Sequence, residues 1–287
     1  MVIIFWNIRG FGSNLGVDAR WHLMKSVIGL ADLVFIFEGP KTTSTANAAL
    51  ETITGYLGTD WKAGYLITEA AQAHETESLF SLRRTAVVTT MTRAAFTPAN
   101  YGGFRTPVLF TATGSAVSGN SPRSVTIMAW HAPPDGNNVG SAWGSISAAV
   151  KAGAAGTVDI IGGDLNSAFC TPPEGYTDLM AARGFPSTMI KQPSLEVGLA
   201  DSVGDIWAGG QTKCNDKIMV RDGFEWASGY PVGRVNPAAE ILGTTVGGVP
   251  GGGERRSKRG KAAAIDAATA HKIAAETSDH APVMIVV

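Results

Sequence analysis

The sequence predicts a layered fold of the α+β or α/β kind. Strand-like runs dominate its central half, helix-like stretches fall between pairs of them, and a hydrophobic share of 45% over 287 residues can build a sizeable core. One large domain, residues 1–287, suits that length better than two small ones.

Val2–Ile8 reads as the first strand. The stretch Met1-Val2-Ile3-Ile4-Phe5-Trp6-Asn7 lacks the basic flank and small-residue cleavage site of a secretory leader. Val17–Leu30 sets Leu23, Val27 and Leu30 on one stripe, with Met24 and Ile28 beside it, which predicts a helix. Asp32–Phe37 is a continuous apolar strand that delivers Glu38, and Thr45–Leu57 is a helix ended by Gly58. Trp61–Ile67 is strand-like and Glu69–Ser78 reads as polar loop. Leu79–Leu82, Ala86–Met91, Pro107–Thr113 and Ser124–Trp130 are strands. Asn138–Ala152 is a helix behind the turn Pro133-Pro134-Asp135-Gly136, and Val158–Ile161 is a strand that delivers Asp164. Beyond it the chain reads as irregular. It carries a short helix near Asp178–Arg183, a strand at Lys217–Val220, a Gly-rich stretch at 247–260 and a last strand at Val283–Val287.

The formal net charge is −1, so no global field draws the chain to nucleic acid, and such binding must come from local patches. The densest cationic run is Arg255, Arg256, Lys258, Arg259 and Lys261, behind Gly251–Gly253. It reads as a solvated loop or as a mobile contact to a phosphate backbone. No apolar run reaches the roughly 18 residues that span a bilayer.

Chemistry concentrates where apolar runs end. Phe5-Trp6-Asn7-Ile8-Arg9, Phe35-Ile36-Phe37-Glu38, Ala129-Trp130-His131-Ala132-Pro133 and Ile161-Gly162-Gly163-Asp164-Leu165-Asn166 follow this pattern, and Ser278-Asp279-His280-Ala281-Pro282 lies just before the last apolar run. Side chains at strand ends can converge on one sheet edge. Two histidines, several carboxylates and two carboxamides gathered there suit metal-assisted phosphoester hydrolysis. Imidazole titrates near neutral pH, so His131 and His280 are the proton-transfer candidates. Mg²⁺ takes one or two carboxylates plus water and phosphate oxygens, so Glu38, Asn7 and Asp279 are its candidate ligands. Each motif alone would also suit a bland role, such as a Glu38–Lys41 ion pair.

In this order and at this spacing, the motifs from Asn7 to His280 resemble the endonuclease/exonuclease/phosphatase superfamily, and within it the deoxyribonuclease I (DNase I) branch. Two more segments strengthen the resemblance. One is Cys214-Asn215-Asp216-Lys217-Ile218-Met219-Val220, and the other is Glu77 ahead of Leu79-Phe80-Ser81-Leu82-Arg83-Arg84. The resemblance implies an α+β, four-layered α/β/β/α sandwich of two mixed sheets. It also implies a divalent-metal-dependent phosphodiesterase using Mg²⁺, with Mn²⁺ or Ca²⁺ as substitutes. Its expected substrate is DNA, cut endonucleolytically with little sequence specificity. The alternative within the superfamily is a phosphatase or phospholipase acting on phosphoinositides, inositol phosphates or sphingomyelin. A monomer is compatible with this reading.

The resemblance also assigns roles. Glu77 orients His131 and Asp216 orients His280. Asn166 donates to a phosphate oxygen, while Asp164 positions water or a second metal, or serves as the base. Arg9 and Arg105, the latter in Phe104-Arg105-Thr106-Pro107, bind phosphate. Two positions depart from the family pattern. Gly39-Pro40 stands where the family has an Arg shortly after the metal Glu, and Glu75 replaces an aromatic residue that enters the DNA minor groove. A disulfide between Cys170 and Cys214 is likewise implied, with slightly different offsets. The bridge would indicate a secreted or periplasmic protein, and reduced thiols a cytoplasmic one. Protein purified from an oxidising compartment should then be two hydrogens lighter before reduction than after it. Free alkylation of both thiols without reductant would refute the bridge.

Overall fold

A computed structural model describes residues 1–8, 18–68, 77–99, 101, 105–115, 123–133, 139–166, 170–183, 188–190, 207, 215–225, 232–246, 263–278 and 280–287. Arg9, Glu75, Cys214, the basic run 255–261 and Asp279 lie outside the described residues.

The chain builds one sheet, then a second, then returns to the first. The opening part forms β1 (Val2–Asn7), α1 (Asp18–Gly29), β2 (Leu33–Gly39), α2 (Thr43–Leu57), β3 (Trp61–Thr68) and β4 (Glu77–Arg84). The middle part forms β5 (Val88–Ala95), β6 (Val108–Gly114), β7 (Ser124–Ala129), α3 (Val139–Lys151), β8 (Ile160–Asp164), β9 (Tyr176–Asp178), α4 (Leu179–Ala182) and β10 (Asp216–Arg221). The return adds β11 (Gly233–Arg234), α5 (Pro237–Ile241), β12 (Thr245–Val246), β13 (Ala263–Ala264), α6 (Ala267–Thr277) and β14 (Val283–Val286). Strand order is β11-β14-β1-β2-β4-β3 in the first sheet and β5-β6-β7-β8-β10-β9 in the second. Both sheets are mixed, because β1–β2 and β7–β8 are parallel while their other pairs are antiparallel.

Period-two alternation makes the layers. In β1, Ile4 and Trp6 pack with residues of α1, α2, α5 and α6, whereas Ile3 and Phe5 face the second sheet. In the second sheet, Ile127, Ile160 and Ile218 face the first, while Met128, Trp130, Ile161 and Met219 pack on Trp143 and Ile146 of α3. The result is an α/β/β/α sandwich. Phe35 ties the middle together, with its ring 5.3 Å from Phe5 and 4.7 Å from Phe110 across the sheets. Removing such a side chain typically costs about 3–5 kcal/mol.

Several elements differ from the sequence expectation. Residues 237–241 and 267–277 are helical, although both fall in the stretch that reads as irregular. The buried face of α6 includes Ala270, Ala274 and Ala275, too small for a clear apolar stripe, and its start is set by Asp266, which accepts from the Thr269 N–H. Glu77 and Ser78 belong to β4 rather than to the preceding loop, because they continue the pairing with Thr68 and Ile67.

Two glycines let the sheets and strands close up. A Cβ on Gly162 would lie 2.4 Å from the Phe5 ring, and one on Gly163, at φ 140°, would lie 2.1 Å from the Trp130 carbonyl oxygen. Gly163→Ala should cost about 3 kcal/mol, from overpacking against backbone and a conformation closed to Ala. Gly156→Ala, at φ 68° in open space, should cost only about 1 kcal/mol. Urea unfolding of both variants would test the close approach, and equal losses would contradict it.

Candidate active site

The polar residues at the strand ends continue the inter-sheet face of the core. Asn7 lies two residues beyond Phe5, Glu77 two before Leu79, His131 two beyond Ala129 and Asp216 two before Ile218. Asp164 follows Gly162, whose position faces Phe5. Alternation therefore turns all five toward the gap between the sheets, where each is buried. His280 joins them just ahead of β14. Asp216 and Asp164 are directly opposed in the β8–β10 register.

Glu38 breaks the alternation. Phe37 faces the second sheet and Ile36 the helices, so a regular strand would send Glu38 to the helices as well. Instead its φ is 59°, and the β2–β4 register shifts between Ile36 and Gly39. The side chain stays partly exposed, at 29%, and its Oε1 accepts from Asn7 Nδ2 at 3.0 Å. Arg105 (φ 58°) and Asn166 (φ 51°) are the other non-glycine residues at positive φ among the described residues. All three are expected site residues, and backbone strain of this kind concentrates at functional sites. Hydrogen bonds brace them. Arg105 O accepts from Trp130 Nε1 (2.6 Å) and Tyr101 Oη (3.3 Å). Asn166 donates its N–H to Asp164 Oδ1 (2.9 Å) and its Nδ2 to Ala132 O (2.8 Å).

Each imidazole is backed by a carboxylate. His131 Nδ1 donates to Glu77 Oε1 at 2.5 Å, and His280 Nδ1 to Asp216 Oδ2 at 2.9 Å. That leaves both Nε2 atoms facing one oxygen, Asp164 Oδ2, at 3.6 Å each. Asn7 Nδ2 donates to this same oxygen at 2.7 Å. Arg105 Nη1 lies 3.2 Å from Nδ1 and 2.9 Å from Nε2 of His131, which places it over the ring face, and it donates to Ala132 O at 3.1 Å. Its Nη2 sits 3.4 Å from Glu77 Oε2. Thr188 was not foreseen. Its hydroxyl donates to Asp216 Oδ2 at 2.7 Å, and its carbonyl accepts from the Ala281 N–H at 2.7 Å. No sequence motif marks it. Ser278 Oγ donates to Asn7 O (2.6 Å) and accepts from His280 N (2.8 Å), so it ties the two chain segments together.

Burial works against a charged His131, but the Glu77 carboxylate, its hydrogen bond and Asp164 outweigh this and raise the pKa, against opposition from Arg105. Asp164 moves the other way. Burial would raise it, yet His280, His131, Asn7 and the Asn166 N–H hold it below the usual carboxylate range. Asp216 is pushed up by burial and by Asp164, although His280 and Thr188 pull against this.

The donors suit a hard divalent cation. Glu38 and Asp164 offer oxygens near enough to share the single amide nitrogen of Asn7, and Glu38 opens to solvent. Asp164, Asp216 and His280 form a second grouping, with ligand atoms within 4.8 Å of one another. There Asp216 Oδ2 already accepts from Thr188 and His280, which suits holding a proton better than a cation. Buried Cys170 has its Sγ 3.5 Å from Leu165 O, but its expected partner Cys214 is outside the described residues. Arg9 and Asp279 are outside them as well.

No family model matches the chain, and no curated protein matches its sequence. Solved structures do match its fold. Zebrafish (D. rerio) TDP2, complexed with a single-strand DNA product, is 15% identical with a TM-score of 0.52, covering 99% of this chain and 97% of that one. An endonuclease/exonuclease/phosphatase family protein from Bacteroides thetaiotaomicron is 13% identical with a TM-score of 0.52, covering 99% and 96%. A mannosyl-6-phosphatase from the same organism is 12% identical with a TM-score of 0.51, covering 99% and 98%. The chain thus has the DNase I-like fold of the endonuclease/exonuclease/phosphatase superfamily. Among the described residues no helix is long and apolar enough to cross a membrane.

The histidine–carboxylate geometry has a consequence for pH. In metal-free buffer, the His131 imidazole should titrate by NMR above the ordinary value of about 6.5, and Glu77→Gln should lower its midpoint. Because the folded pKa is raised, the proton's contribution to stability is complete below about 6.5 and is lost as pH rises through the folded value. The stability gap between wild type and Glu77→Gln should narrow over that window. Identical midpoints in the two proteins would contradict the assignment of Glu77 to His131.

Proposed function

We propose that this chain is a divalent-metal-dependent phosphodiesterase, an endonuclease that hydrolyses DNA with little sequence preference, folded as one domain over residues 1–287. The observation that carries the reading is the pair of carboxylate-backed imidazoles, with both Nε2 atoms 3.6 Å from Asp164 Oδ2. Glu38 and Asn7, with Asp279, would hold the metal, which when bound draws charge off the phosphoryl oxygens. One imidazole accepts a proton from the attacking water and the other gives one to the leaving oxygen. Glu77 and Asp216 fix the ring orientation and tautomer that turn each Nε2 toward Asp164 Oδ2. Asp164, held ionised between them, orients the water. Arg105, Arg9 and Asn166 neutralise or bond the phosphate oxygens.

Supercoiled plasmid should be nicked with Mg²⁺ and protected by EDTA. His131→Ala and His280→Ala should each slow nicking by at least about a hundredfold, the scale of a lost general acid or base. A near-wild-type rate in either folded variant would sink the two-histidine mechanism. Turnover of a soluble phosphoinositide but not of plasmid would remove DNA as the substrate.

A further inference from the structure

The two sheets end together in edge strands, β3 of the first and β5 of the second. Between these edges and α2 lies a groove of about 730 Å³, lined in part by Lys62, Tyr65, Leu66, Arg83, Met91 and Arg93. No acidic side chain lines it among the described residues. Two arginines cross the gap in opposite directions. Arg83 of the first sheet donates to the Val88 and Thr89 carbonyls of the second, at 3.0 Å for Thr89, and Arg93 of the second donates to the Tyr65 carbonyl of the first. Neutral carbonyls fix these guanidiniums without cancelling their charge. Lys62 stands directly opposite Arg83 in the β3–β4 register and is exposed. None of the three cations forms an ion pair among the described residues.

A purely structural account covers only part of this. Staples across two sheet edges need hydrogen bonds, but they need neither unbalanced charge nor Lys62. In a chain of net charge −1 with 24 acidic residues, three cations without an acid make a local positive field. The groove also leads somewhere. It follows β3 from Lys62 to Ile67, and the next residue, Thr68, pairs with Glu77 beneath His131. Six strand residues span roughly 20 Å.

We infer that this groove binds the sugar–phosphate backbone of a nucleic-acid single strand and guides it toward the His131 end of the site. Lys62, Arg83 and Arg93 contact phosphates, and the affinity is electrostatic and independent of sequence. The choice of a nucleic acid over another polyanion rests on the nuclease reading above.

The test separates binding from cleavage. Anisotropy of a fluorescent oligothymidylate, titrated in EDTA over a salt series, reads the groove. Hydrolysis of bis(p-nitrophenyl) phosphate with Mg²⁺ reads the catalytic site. Lys62→Gln/Arg93→Gln should bind roughly tenfold more weakly, the scale of losing a charged hydrogen bond. It should also flatten the slope of log affinity against log salt by about 1.4, from about 0.7 per single-strand contact. Hydrolysis of the small diester should be unchanged. Lys62→Gln alone alters an exposed side chain, cannot be confused with misfolding, and should flatten the slope by about 0.7. Unchanged slopes, or a wild type that binds no oligonucleotide, would overturn the groove. A wild type that binds the strand but leaves the diester intact would overturn the hydrolase reading and uphold the groove.

Discussion

One carboxamide joins the two sheets at the edge where they carry polar groups. Asn7 ends a strand of the first sheet, and its Nδ2 donates to Glu38 Oε1 in that sheet and to Asp164 Oδ2 in the second. Two carboxylates this close would otherwise repel. The shared N–H donor keeps them close, and with the neighbouring imidazoles it holds Asp164 ionised. The spacing of both imidazoles is measured from that same Asp164 oxygen. A shift of Asn7 would therefore alter the spacing of the carboxylates and of the imidazoles together.

Such a shift is resisted by the layers beneath. Phe5, two residues before Asn7, stacks on Phe35 and closes against Gly162, so the core that holds the sheets also sets the height of the site above it. The left-handed backbones at Glu38, Arg105 and Asn166 cost about 1–2 kcal/mol each, and the surrounding hydrogen bonds and packing must supply that. Their geometry is thus imposed by the fold, with the side chains already in place.

These constraints were unevenly legible in the sequence. The polar ends of apolar runs were readable, because period-two alternation carries the inter-sheet face one step past Phe5, Leu79, Ala129 and Ile218. The pairing of Glu77 with His131 and of Asp216 with His280 came only from the family resemblance, since residues 54 and 64 positions apart meet through sheet packing. The turn of Glu38 away from its alternation was invisible. It depends on a register shift against β4, and Gly39 packs there so closely that a Cβ would lie 2.1 Å from Ser78 Oγ. Thr188 was equally hidden, for it reaches Asp216 from a segment with no periodic pattern. Helix α6 escaped because alanines form much of its buried face, and their burial is set by the partner surface rather than by side-chain size.

Electrostatics explains why the carboxylate-rich edge and the cationic groove are separate places. Of the described site residues, Glu38, Glu77, Asp164 and Asp216 are carboxylates, set against one guanidinium, Arg105, and two imidazoles. Even with both imidazoles protonated, the acids outnumber the cations. On the reading proposed above, such a site repels a phosphodiester unless a divalent cation held by Glu38, Asn7 and Asp279 offsets the excess. Long-range attraction of a polyanion must then arise where acids are absent, and the Lys62–Arg93 groove has that property among the described residues. On that reading the chain needs no overall positive charge, because the buried carboxylates would cancel any modest excess and the attractive charge would lie along the path to the site instead.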